Sequence, residues 1–131
     1  MAESPSNDLD HLLASAFKLG VSDIHMRSAR KPMYRVDGQL RAVDFREIAS
    51  GEIEGLCERL SGIDREELGR RRTAEFSCHF RDAGRFRGHF YLQSGLPALA
   101  LRTIPSSIPS LQELRLPAQL KRISEAQSGL I

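Results

Sequence analysis

Apolar residues recur along the first part of the chain with two different periods. Leu9, Leu12, Leu13, Ala16 and Phe17 return at the three- and four-residue spacing of one helix face. Asn7 is suited to cap that helix, residues 1–7 read as a disordered lead-in, and Lys18 and Gly20 suit its end. Residues 22–28 then alternate, with Ile24 and Met26 on one side and His25 and Arg27 on the other, which predicts a half-buried strand. Met33 to Val36 and residues 39–43 form a second and third strand around Asp37-Gly38, a pair that tolerates the positive φ of a tight hairpin turn. Helical spacing returns at Ile53, Leu56, Cys57 and Leu60, after a start blurred across residues 45–50. A short helix follows Asp64, with Glu67 at capping-box distance and Arg70, Arg71 and Arg72 at its cation-favouring end.

The second half alternates with period two. Ala74, Phe76, Cys78 and Phe80 face one way in a strand over Thr73 to Phe80. Phe86, Gly88, Phe90 and Leu92 do so over 85–93, and Leu99 and Leu101 over 97–103. Residues 105–117 are punctuated by Pro105, Pro109 and Pro117 and read as a connector, with Ser110 and Glu113 capping a single turn inside it. A last short helix carries Leu120 and Ile123, and Gly129-Leu130-Ile131 turns apolar like the opening of another strand. The order predicts an α+β domain: an antiparallel sheet with helices packed on one side, plus a C-terminal linker and short helix.

Composition narrows the function classes. The chain has 131 residues and a formal charge of +2, so no global field points to nucleic acid. Tyr91 and Tyr34 are the aromatics available for base stacking, and partners are expected to be protein and not nucleic acid. The apolar stretches are too short to span a bilayer and no signal peptide opens the chain, so a cytoplasmic location is expected. Cys57 and Cys78 sit on apolar periodic positions and read as buried thiols and not as a disulfide. His11, His25, His79 and His89 are scattered without metal-ligand spacing, so no metal site is expected and polar strand faces account for His25 and His89. Asp23 and Asp37 read as turn or strand-end residues.

One constellation stands out. A two-residue turn at Ser94-Gly95 sets Gln93 opposite Leu96 and therefore Arg87 opposite Arg102. Arg85, Arg87 and Arg102 then share the outward face, with no carboxylate at the strand positions beside them. Like charges directly opposite cost about 0.2–1 kcal/mol. Three unpaired guanidiniums make an anion site suited to phosphate; a solvated basic face, or one paired with acids from a distant helix, gives the same pattern.

Several short motifs, in order, resemble the twitching-motility (PilT-type) ATPase family. They are Ser22-Asp23-Ile24-His25, Arg35-Val36-Asp37-Gly38 after Pro32, Glu75-Phe76-Ser77, Arg85-Phe86-Arg87, Arg102-Thr103-Ile104-Pro105, and Leu111-Gln112-Glu113-Leu114 with Leu116-Pro117. The resemblance implies a PAS-like N-terminal domain over 8–104. Residues 105–131 then become linker, short helix and the start of a RecA-like ATPase domain. It implies a homohexamer that powers pilus retraction, pilus assembly or secretion with ATP and Mg2+ as cofactors. Its partners would be the RecA-like domains of the same and neighbouring subunits and an inner-membrane platform protein, which would hold it peripherally at that membrane. Arg85, Arg87 and Arg102 match the family's nucleotide-contacting arginines, while Gly95 stands where a further turn arginine is often found. The phosphate-loop pattern Gly-x-x-x-x-Gly-Lys-Ser/Thr does not occur in these residues. The expectation is a nucleotide-sensing and subunit-assembly domain with no catalytic residue of its own; the alternative is a free-standing PAS-like module for a small anion or cyclic dinucleotide.

Overall fold

The computed structural model describes residues 5–130. Residues 1–4 of the expected lead-in and Ile131 lie outside them. Helix α1 spans Pro5–Lys18, so it starts before Asn7, which lies inside it and is not its cap. Pro5 stands at its first position, where a missing amide breaks no helical bond. Its buried face is the expected one: Leu9, Leu12, Leu13 and Ala16 are in the core, and Phe17 stacks obliquely on Phe86 at 4.7 Å.

Strands β1 (Asp23–Arg27), β2 (Met33–Val36) and β3 (Gln39–Ala42) form one antiparallel meander. Asp37 and Gly38 both take positive φ, 49° and 78°, which closes β2 onto β3 in two residues. Helices α2 (Ser50–Ser61) and α3 (Arg65–Arg71) follow. The start of α2 lies at Ser50, where the Glu52 side chain reaches back to the Ala49 amide at 2.9 Å while holding Arg46. For α3 the cap is as expected: Asp64 Oδ1 accepts from the Glu67 amide at 2.8 Å. The Glu67 carboxylate turns away to Arg70 and Arg71, so only half of the capping box forms.

The second meander is β4 (Thr73–Phe80), β5 (Gly84–Gln93) and β6 (Leu96–Ile104). The two meanders join through β1 and β6, giving one six-stranded antiparallel sheet in the order β3-β2-β1-β6-β5-β4. The helices pack on one face of it, where Ile24, Met26, Phe86, Phe90, Leu99 and Leu101 meet Leu13, Ile53, Leu56 and Leu68. Tyr34 belongs to this core and not to the surface; its hydroxyl donates to the Leu12 carbonyl at 2.6 Å. This is the α+β architecture expected from the alternating pattern.

Beyond β6 the chain is largely exposed. Ser110 and Glu113 form the expected box, with Ser110 N to Glu113 Oε2 at 2.7 Å and Glu113 N to Ser110 Oγ at 3.2 Å. Helix α4 (Gln119–Ser124) has no buried residue, and Ile108, Leu114, Leu116 and Ile123 are all exposed. No strand forms at Gly129 or Leu130.

Candidate functional site

The face of the sheet opposite the helices carries the arginines. Ser94 and Gly95 take φ of 51° and 81°, the two-residue turn sets Gln93 opposite Leu96, and Arg87 pairs with Arg102 as the arithmetic requires. Arg85 lies two residues on, opposite Ile104, and has no ion-pair partner among the described residues.

The expectation of an arginine face without carboxylates is overturned. β1 places Asp23 directly across from Arg102, whose Nε donates to Asp23 Oδ1 at 3.0 Å. Arg35 on β2 approaches the other oxygen of the same carboxylate at 3.6 Å. On the far side, Arg87 Nη2 donates to Glu75 Oε2 of β4 at 3.2 Å. The acids come from sheet neighbours on both flanks, and not from a helix. Like charges opposite each other are tolerated here because each guanidinium meets a carboxylate on its outer side.

Asp23 is therefore more than a strand-end residue. Burial pushes its carboxyl up, but hydrogen bonds from Ser22 Oγ and Arg102 and the charge of Arg102 outweigh this and hold it below the ordinary carboxylate value. His25 sits one row along, opposite Ala100, which in turn faces His89. The small Ala100 leaves a shallow groove of about 370 Å³ lined by Asp23, His25, Glu75, Arg87, His89 and Arg102. Burial pushes His25 down and keeps it neutral near pH 7, and its Nε2 is buried with no hydrogen-bond partner. His89 is held by Thr73 Oγ1 at 3.0 Å and lies 5.2 Å from the Tyr91 ring.

The structure thus puts all three predicted arginines on one face, brings Arg87 and Arg102 but not Arg85 into the groove, and adds Asp23, Glu75, His25 and His89, which sequence reasoning assigned to turns or polar strand faces. The available signal was the outward parity of Asp23 and Glu75 within their own strands; which strand lay next to which was not available. Chemically, the groove offers guanidinium donors on a rigid sheet, which suits a phosphate or another compact anion. Among the described residues, no cluster of three His, Cys, Asp or Glu side chains could hold a metal ion. Nor is any helix long and apolar enough to cross a membrane.

No protein-family model matches the chain. Among curated proteins it is 29% identical over 125 residues to the type IV pilus retraction ATPase PilT of Pseudomonas aeruginosa, covering 95% of the chain and 36% of that protein. Among solved structures it superposes on the pilus retraction motor PilT with bound ADP at a TM-score of 0.72 and 30% identity, over 90% of the chain and 35% of PilT. The ATPase DotB of Legionella pneumophila superposes at a TM-score of 0.68 and 25% identity, over 96% of the chain and 36% of DotB. The chain spans about a third of the length of the relatives it matches. In sequence and in fold the chain matches the N-terminal domain of PilT-type secretion ATPases.

Proposed function

We propose that this chain is the nucleotide-sensing and subunit-assembly domain of a hexameric ATPase that drives type IV pilus retraction or a related secretion step. The observation that carries the reading is the arginine pair, Arg87 against Arg102 with Arg85 beside it, on the open face of a sheet that superposes on a nucleotide-bound motor. In this reading the guanidinium edges reach the phosphates of ATP held by a RecA-like domain of the same or a neighbouring subunit. Magnesium would be held by that domain, since the groove presents Asp23 and Glu75 already engaged with arginines. The exposed apolar side chains of the linker and α4 would be covered by the rest of the parent protein. The machine would work in the cytoplasm, held at the inner membrane by a platform protein.

The test is ATP turnover by the parent enzyme with Arg85, Arg87 and Arg102 all changed to Ala. Arginines that stabilise transferring phosphate are worth roughly 10³-fold or more in kcat, so turnover is expected to fall on that scale while the hexamer persists. Unchanged turnover would refute the nucleotide role.

A further inference from the structure

We propose that the two carboxylates flanking the arginine pair act in opposite senses: Asp23 is a positioning residue that aims Arg102 at a phosphate, and Glu75 is a displaceable screen over Arg87. This rests on the phosphate-binding reading above and goes beyond it by assigning a part to each acid.

The difference lies in which edge of each guanidinium is used and how firmly each acid is held. Arg102 meets Asp23 through Nε, at 3.0 Å, and its terminal Nη1 and Nη2 edge makes no hydrogen bond among the described residues. That edge is the planar fork that grips a phosphate through two parallel bonds. The Asp23 side chain is only 14% exposed and cannot swing away, because Ser22 Oγ holds one oxygen at 2.9 Å and Arg35 lies against it. Arg35 is itself anchored by Nη1 to the Gly38 carbonyl at 3.0 Å. Asp23 therefore ties Arg102, whose side chain is 70% exposed, by its inner edge and leaves its outer edge free.

Glu75 does the reverse. It takes Arg87 by the terminal Nη2, the atom a phosphate would need, and that hydrogen bond is longer, at 3.2 Å. Both side chains stand in solvent, 66% exposed for Glu75 and 64% for Arg87. Glu75 has no second hydrogen-bond partner among the described residues. An arriving anion with two or more charges can replace it, and exposed pairs of this kind are weak.

Charge alone predicts the same sign for both acids. Removing a negative charge about 6 Å from a bound anion in water should tighten binding about threefold. The geometry predicts opposite signs. In calorimetric titration of the 131-residue chain with inorganic tripolyphosphate, Glu75→Ala is expected to bind about two- to fivefold more tightly than wild type, the range of an exposed ion pair. Asp23→Ala is expected to bind roughly tenfold more weakly, the scale of a lost charge-assisted hydrogen bond. The Arg102 Nε–H resonance in 15N-correlated spectra reports the tether separately. It should be protected from exchange in wild type and in Glu75→Ala, and lost in Asp23→Ala. Where Asp23→Ala fails to fold, Asp23→Asn keeps one acceptor oxygen and should weaken binding to an intermediate degree. Arginine-dependent binding that is unchanged or tighter in the Asp23 variants overturns this proposal alone, as does an unprotected Arg102 Nε–H in wild type. Binding that the triple arginine-to-alanine variant retains in full overturns the phosphate reading and this proposal together.

Discussion

Replacing Gly88 by Ala tests what holds the reverse side of the arginine face. Gly88 lies opposite Phe76 across β4 and β5, and a β-carbon at position 88 would fall less than 3.0 Å from three carbons of the Phe76 ring. The ring is seated on bare backbone. Two effects of the substitution oppose each other. Overpacking a filled site costs about 1–3 kcal/mol, whereas replacing glycine in a strand by alanine returns about 0.5–1 kcal/mol of backbone entropy. The clash wins, with a net loss on the order of 1 kcal/mol. Without the ring only the second effect remains, so in a Phe76→Ala background the same substitution should stabilise by about 0.5–1 kcal/mol. Equilibrium urea unfolding of the wild type, the two single variants and the double variant closes the cycle. The midpoint should move down with Gly88→Ala in the first background and up in the second. A shift of the same sign and size in both would show that the ring is not the obstacle and would refute the reasoning.

Two further outcomes follow from buried ionisable groups. Burial, reinforced by Arg35 and Arg27 and opposed by Asp23, pushes His25 below its ordinary value, so between its folded pKa and the unfolded value of about 6.5 the unfolded chain binds more protons. Stability should therefore fall as pH drops from about 7.5 to about 5.5, and His25→Gln should lose less over that window; equal losses in urea midpoint for both proteins would assign the effect elsewhere. Burial likewise pushes the Cys57 thiol up to about 11, with Ser61 opposing and Cys78 adding to it, and Cys78 is raised too. At about pH 8 a thiol with that pKa is roughly 0.1% thiolate, so in the native protein Cys57 should resist a thiol reagent and react when urea unfolds the chain. Rapid native labelling of Cys57 would contradict its burial.

How much could be read from the residues depended on how far apart in the chain the interacting groups were. Arg87 against Arg102 was legible because a two-residue turn leaves one register, and the outward parity of both strands agreed with it. The inner face of the sheet and the buried stripe of α1 were legible from period alone. Glu75 was harder. Its strand joins β5 through a wider turn, in which Arg81 and Gly84 take positive φ, so the contact with Arg87 depends on a loop geometry that composition does not specify. The outward parity of Asp23 was legible but its pairing was not, because its partner Arg102 lies 79 positions away and meets it only when two separate meanders join. The start of α1 was misjudged for a local reason: Asn7 is a good cap, yet Pro5 two residues earlier also starts a helix well.

That junction has a consequence for how the protein comes to be. Each meander closes through short connections and can form from its own stretch of chain. The β1–β6 ladder cannot form until the whole span from Asp23 to Arg102 has been made and brought round on itself. Its ordering cost grows only slowly with length, but it comes before any contact across the ladder is gained. Of the sheet's contacts, those between the first and last strands are therefore the ones that must wait. The groove has one wall from each meander, so it exists only in chains that have completed this step. The anion-facing surface is in that sense a record of finished folding: a half-folded chain carries Arg87 and Arg102 side by side, but has no Asp23 to set the angle of the second.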